Sequence, residues 1–190
     1  MAKERVKRVA AADKLLGKEV LLYINYGEDA TEMAPVWTLI GGQTTADLDM
    51  SADSIDASNK SSGGWGENYA GIKSTELDLE GILCKSDEGY AALKDAFIQG
   101  DAVDICRFAA DGTADRNWYT ITEISDSTPH DDTATFTVTL KGIGAPKFYT
   151  GLSTVDDVKG PIASATTTTT TSGTSGSGSD SGSSSSGGKG

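Results

Sequence analysis

The stretch Thr133-Ala-Thr-Phe-Thr-Val-Thr-Leu140 alternates without a break, with threonine at every odd position and Ala134, Phe136, Val138 and Leu140 between. Successive side chains of an extended strand point to opposite faces, whereas a helix would scatter these apolar groups around its circumference. The segment therefore dictates a strand that is buried on one face and wet on the other, as in an antiparallel sheet. Two further segments carry the same pattern with charge in place of hydroxyl. In Asp47–Asp53, Leu48, Met50 and Ala52 share one face, while Asp47, Asp49, Ser51 and Asp53 share the other. In Ser74–Gly81, Leu77 and Leu79 stand opposite Glu76, Asp78 and Glu80.

Four more segments read as strands. Val20–Ile24 is apolar on both faces, Val36–Ile40 ends at Gly41-Gly42, and Val103–Phe108 and Trp118–Ile124 flank an Asp111-Gly112 turn. One helix is predicted. Asp87 is placed to cap its start, Tyr90, Leu93 and Phe97 form its apolar stripe, and Gly100 sits where a C-terminal cap belongs. Residues 1–17 have the spacing of a short amphipathic helix, with Val6, Val9, Asp13 and Leu16 near one face. A long loop, residues 58–71, separates the two acidic strands. Together these predict a mainly β fold: an antiparallel β-sandwich or small barrel with one flanking α-helix and a long loop. Three regions follow: an N-terminal arm (1–16), the β domain (17–150) and a Thr/Ser/Gly-rich tail (151–190). From Pro161 onward nearly every residue is Ser, Thr or Gly. Such a segment buries too little to offset the entropy of ordering, so the tail reads as flexible and disordered.

Charge narrows the function. The net charge is −12; the first eight residues carry an excess of +3 and the tail's Asp180 and Lys189 cancel, leaving −15 on the body. So acidic a body repels phosphate and lacks the footprint of a nucleic-acid binder. The basic start is either an arm for an acidic partner, such as another copy of the chain, or a solvated terminus. Asp13 and Lys14 interrupt the apolar run that an export signal needs, and no stretch is long enough to span a membrane. Folding in a cytoplasm is the expectation. Cys84 and Cys106 form no CxxC pair and, with the single His130, no set of ligands at metal spacing. Each lies in an apolar, strand-like stretch, where a free thiol behaves as a small hydrophobe.

The search for chemistry returns little. Ser127, His130 and Asp131 or Asp132 supply the residue types of a catalytic triad. They crowd into six positions without a nucleophile elbow, and the run reads as a turn before a strand. Paired carboxylates serve glycoside hydrolysis, but Asp47, Asp49, Glu76, Asp78 and Glu80 occupy regular strand positions with no aromatic sugar platform. Asp111–Asp115 lacks the ligand series of a calcium loop, and Gly63-Gly64-Trp65-Gly66 lacks phosphate-loop spacing. No catalytic residue, cofactor or metal is assigned. Two features stay open on the residues alone. The loop with Lys60, Trp65, Glu67 and Tyr69 is either a surface loop or an interface anchored by its aromatics. The carboxylate face is either a solvated sheet or a surface that repels a polyanion at close range.

Several motifs, in their order, resemble the major tail proteins of long-tailed phages, of the TP901-1 type. They are Trp37-Thr-Leu-Ile-Gly-Gly-Gln43; Ser51-Ala-Asp-Ser-Ile-Asp56, with Lys60 before Gly63-Gly64-Trp65; and Gly89-Tyr90 with Leu93, Ala96-Phe97 and Gly100. The series ends with Ser127-Thr-Pro-His-Asp-Asp132 and Thr133-Ala-Thr-Phe136 leading to Leu140-Lys-Gly-Ile-Gly144. The resemblance covers residues 17–146, leaving out the basic start and the tail. It implies a structural virion protein rather than an enzyme: a tail-tube subunit that self-assembles into stacked hexameric rings in the host cytoplasm. The resulting non-contractile tube conducts viral DNA at ejection without binding it specifically. It further implies a tape-measure protein, a tail terminator and baseplate or tail-tip proteins as partners. On this sequence, residues 58–71 become the inter-subunit loop, and Asp47, Asp49, Asp53, Glu76, Asp78 and Glu80 the lumen candidates. The alternative is a surface-displayed β-sandwich binding module on a Thr/Ser-rich stalk, which suits the tail but not the missing export signal or unpaired cysteines.

Overall fold

The computed structural model describes residues 14–162. The helix expected over 1–17 and the tail from residue 163 lie almost wholly outside the described residues; Gly17–Glu19 form a single 3-10 turn. Seven strands and one helix follow: β1 (Val20–Asn25), β2 (Trp37–Leu39), β3 (Gln43–Asp56), β4 (Asn68–Ile82), α1 (Glu88–Gln99), β5 (Val103–Ala109), β6 (Ala114–Ser127) and β7 (Thr135–Tyr149). The mainly β, antiparallel architecture with one helix is as expected, but its two layers are halves of one sheet. The strand order is β2-β1-β5-β6-β7-β4-β3, every neighbour antiparallel.

The sheet closes on itself at β1 and β3. Gln43, at the start of β3, accepts from Leu22 N and donates to Leu22 O (2.9 and 2.8 Å). The turn is made in β6, where the register against β7 slips between Arg116 and Trp118 and again between Ile121 and Glu123. Extra residues of this kind bend a strand and increase its local twist. The enclosed core takes Leu22 and Ile24 of β1, Leu77 and Leu79 of β4, Ile105 of β5, Tyr119 and Ile121 of β6, and Phe136, Val138 and Leu140 of β7, with the half-buried Ala46 and Leu48 of β3 packed against it. The threonine alternation is thus fulfilled, with the even residues of β7 inside.

Helix α1 caps one end of this core. Asp87 accepts from Gly89 N and Tyr90 N (3.0 and 3.2 Å), and its second oxygen accepts from Gly41 N at 2.9 Å, so the cap also pins the β2–β3 connection. Gly89 is needed there, since a Cβ would stand 2.7 Å from Leu39 O. Leu93 is fully buried and the Tyr90 ring lies 4.5 Å from that of Phe136. Phe97 departs from the expected stripe. It is 46% exposed, with Ile98 at 79%, because the covered stripe ends one turn before the helix does.

A second, smaller layer covers the other face of β1, β5 and β6. The domain boundary expected at 150/151 falls inside it, since residues 151–162 fold back over the sheet. Val158 is buried against Cys106 and Ala114, flanked by Tyr23, Trp37, Phe108 and Tyr149. The layer is held by Arg116, which is wholly buried. Its Nε donates to Asp104 Oδ1 (2.9 Å) and Nη2 to Asp104 Oδ2, while Nη1 reaches Gly160 O (2.8 Å) and Nη2 also Glu32 O (2.9 Å). The guanidinium lies 5.1 Å from the Trp37 ring, and Trp37 Nε1 donates to Val158 O. Burial would lower the guanidinium's pKa, but hydrogen bonding and charge from Asp104 outweigh it, and the pKa rises.

A buried ion pair stripped of one partner leaves an uncompensated charge in the interior, at a cost of about 3–5 kcal/mol. Asp104→Ala should therefore lower the unfolding free energy by about that much in urea titrations. A loss below about 1 kcal/mol, within reach of an exposed pair, would show that Arg116 is not sealed in solution.

Candidate assembly surface

The carboxylates singled out in the two acidic strands converge on one face. β3 and β4 pair with Asp47 opposite Asp78 and Asp49 opposite Glu76, all pointing away from the core that Leu48, Leu77 and Leu79 face. Glu80 lies beside them, opposite Thr45. The next strand brings Thr137, Thr139 and Lys141 alongside Glu80, Asp78 and Glu76, and β6 adds Glu123 opposite Thr139. Like charges directly opposite one another cost a few tenths of a kcal/mol or more per pair. Two contacts relieve this: Lys141 pairs with Glu76, and Thr139 Oγ1 donates to Asp78 at 2.9 Å. Asp53 stands apart from the row, at the register slip between Ala52 and Ser54.

Beyond this face the β3–β4 hairpin leaves the sheet. β4 pairs with β7 only from Glu76 to Ile82, so Asn68–Thr75 is bonded to β3 alone. The hairpin therefore projects as a two-stranded arm with Met50, Ile55, Tyr69 and Ile72 exposed along it. Tyr69, expected in the loop, instead sits in β4 opposite Ile55, and the loop shortens to residues 57–67. The small and charged residues between Asp53 and Ser74 hide these added strand positions; the spaced Ile55 and Ile72 were the available signal.

The loop at the tip is ordered by its own hydrogen bonds. Ala57 N donates to Glu67 O (2.8 Å), Glu67 N to Ser58 Oγ (2.9 Å), Ser61 N to Asn59 Oδ1 (2.8 Å) and Trp65 N to Ser62 O (3.1 Å). Hydrogen bonds from the Ser58 side chain and amide hold the Asp56 carboxyl below its usual value. Gly63 and Gly64 have φ of +62° and +87°, which favours glycine and lets the chain turn sharply just before Trp65. Trp65 is held out in solvent, 82% exposed, with Lys60 and Glu67 exposed on the same loop.

The residues considered for chemistry fall elsewhere. Ser127 ends β6, and His130, Asp131 and Asp132 lie in the exposed β6–β7 connection, where His130 touches Asp131 at 3.5 Å. Asp111 folds a turn by accepting from Thr113 N and Oγ1 (3.0 and 2.6 Å), which lowers its pKa. Both cysteines are free. Cys106 is sealed in the second layer and burial pushes its pKa up to about 12; Cys84, expected in a strand, is exposed just past β4.

A family described as phage tail tube protein matches residues 14–148. Among curated protein sequences, none matches. Solved structures of similar fold include the tail of an empty gene transfer agent particle, computed with helical refinement and C6 symmetry. It is 22% identical, with a TM-score of 0.63, over 72% of this chain and 99% of that one. The SPP1 tail tube is 14% identical, with a TM-score of 0.63, over 76% of this chain and 84% of that one. A chain of the anti-feeding prophage baseplate is 7% identical, with a TM-score of 0.55, over 75% and 98%.

The facing carboxylates make a prediction about the free subunit. Asp47→Lys puts an opposite charge across from Asp78 and should raise stability to urea by roughly 0.5–1 kcal/mol at low ionic strength. The gain should fade near 1 M salt, where screening is nearly complete. Destabilisation at low salt would mean that Asp47 and Asp78 do not face each other.

Proposed function

Because the chain belongs to the phage tail tube protein family, and so to the tail of a virion, we propose that it assembles into stacked hexameric rings with the acidic sheet lining the lumen. The observation that carries this reading is the four-stranded unit β3-β4-β7-β6. It has an edge along β3, free past the contacts of Gln43 with Leu22, and another along β6 beyond Tyr119, where pairing with β5 ends and Asp126 is held by Tyr90 and Lys94 of α1. Unpaired edges are a template for pairing with another chain. Joining the β3 edge of one copy to the β6 edge of the next carries the sheet around a ring, with Asp47, Asp49, Asp78, Glu80 and Glu123 on a single face. A wall of that charge keeps DNA moving, since it repels phosphate at short range and offers no base-reading groups. The role is structural. The arm and its loop reach toward a neighbouring copy, and a tape-measure protein, a terminator and baseplate or tail-tip proteins are the expected partners.

Electron microscopy of the concentrated protein should show rings or hollow tubes; a chain that stays monomeric under all conditions would defeat the reading. A second test addresses the wall. Asp47→Lys, Asp49→Lys and Glu80→Lys together should allow tube formation yet retard DNA ejection from virions. Ejection at the normal rate would take the acidic face out of the lumen.

A further inference from the structure

The two sheet edges that meet in a ring constrain each other residue by residue. Along β3, Asp47, Asp49 and Ser51 lie on the carboxylate face, while Leu48 and Met50 lie on the core side. On β6 past Tyr119, Glu123, Ser125 and Ser127 stand opposite Thr139, Thr137 and Thr135 of β7 and so share that carboxylate face, while Ile124 packs on the core. β3 runs antiparallel to β4, β4 to β7 and β7 to β6, so copies of like orientation bring β3 against the next β6 antiparallel. A slip of one residue would turn one strand's carboxylates toward the core, so only registers differing by two residues compete.

Three features choose among these registers. The first is charge. With Glu123 opposite Ser51, Ser125 falls opposite Asp49 and Ser127 opposite Asp47, and every acid faces a hydroxyl. A shift by two residues sets Glu123 against Asp49 or Asp53, and a further one sets it against Asp47; like charges directly opposite destabilise a ladder. Asp47 and Asp49 already face Asp78 and Glu76 on β4, so a hydroxyl on their other side spares them a second repulsion. The second is the backbone. β3 slips in register between Ala52 and Ser54, and β6 between Ile121 and Glu123. With Glu123 beside Ser51 the two irregularities lie at one level, so the strands bend together. The third is where pairing ends. A seam that stops with Ser127 against Asp47 leaves Gln43 to its bonds with Leu22 and keeps Pro129, which has no N–H, outside the ladder. On the core side Met50, 60% exposed, comes beside Ile124. Asp126 comes opposite Leu48 with its charge already met by Lys94 and its second oxygen held by Tyr90.

We propose that β6 of one copy adds to β3 of a second copy in this one register, with Glu123 opposite Ser51, Ser125 opposite Asp49 and Ser127 opposite Asp47. The inference rests on the reading that copies join edge to edge into a ring, and goes past it by naming the residue pairs at the seam. The β4–β7 ladder already works this way, with Asp78 facing Thr139 and Glu80 facing Thr137. The serines at 51, 125 and 127 thus have a task that the isolated subunit does not give them: they separate the carboxylates of adjacent copies. The two edges are different surfaces, so the contact is heterologous and repeats around the ring until it closes.

Disulfides read the register directly, since they form only where Cα atoms lie within about 7 Å. Residues directly opposite meet that limit, whereas diagonal ones fall at about 7–8 Å. Within one copy β3 and β6 stand three strand spacings apart, about 14 Å, so any such bond joins two copies. With Cys84→Ser to remove the exposed thiol, Asp49→Cys and Ser125→Cys together should give disulfide-linked multimers on oxidation of the assembled protein, and neither alone should do so. Ser125→Cys combined with Asp47→Cys or with Ser51→Cys should give few. Separately, Ser51→Asp should raise the concentration needed for assembly by up to about fivefold at low salt. Glu123→Ser in the same chain should restore it, which damage to folding would not allow. Rings or tubes that cross-link through Asp47→Cys or Ser51→Cys instead, that cross-link through none of the three pairs, or that ignore Ser51→Asp would overturn the register and leave the ring reading intact. A parent chain that forms neither rings nor tubes would overturn both.

Discussion

The interaction on which the rest of the structure depends is the buried pair of Arg116 and Asp104. It ties the paired strands β5 and β6 to two parts of the chain outside the sheet: the β1–β2 connection through Glu32, and the returning segment through Gly160. Asn25 Nδ2 also donates to Asp104 Oδ2 at 2.8 Å, so β1 belongs to the same network. Charges this deeply buried are tolerated only when nearly every donor and acceptor is used, and four hydrogen bonds from the guanidinium meet that condition. With this layer fixed on one side, the sheet presents its carboxylate face on the other.

That division explains how an unfavourable surface is kept. Leu77, Leu79, Phe136 and Val138 bind the acidic strands to the core from beneath, while Glu76, Asp78 and Glu80 repel their neighbours above. Burial of each large apolar side chain stabilises by about 1.5–3 kcal/mol, against tenths for each like-charge pair, so the hydrophobic side wins comfortably. The molecule can therefore hold a charge pattern that its own folding would not select.

Much of this was legible in the sequence. Strict alternation fixed which faces of β7 and β4 turn inward, and Asp87 and Gly100 marked both ends of the helix because capping is a local matter of hydrogen bonds and φ. What escaped was non-local. Nothing near Arg116 announces that its partners are 12, 44 and 84 residues away. Residues 151–162 resemble a linker in composition, and their place is set by Val158 meeting Cys106 and Ala114 on distant strands. The arm was cut short at both ends because a hairpin without a buried face shows no apolar alternation to follow. For the candidate site, the acidic row was readable residue by residue, whereas the edge of β6 was not, since it exists only where pairing with β5 ends.

The returning segment has one more consequence, which lies in the two thiols. Cys84 is open to solvent, while Cys106 lies under the Val158 layer with its thiol held protonated. A modifying reagent reaches the second only when the strap over it lifts, so its reaction rate counts those openings, with Cys84 in the same molecule as the reference for unhindered attack. The chain thus carries its own clock for the loosening of the Arg116 layer, readable without altering a residue.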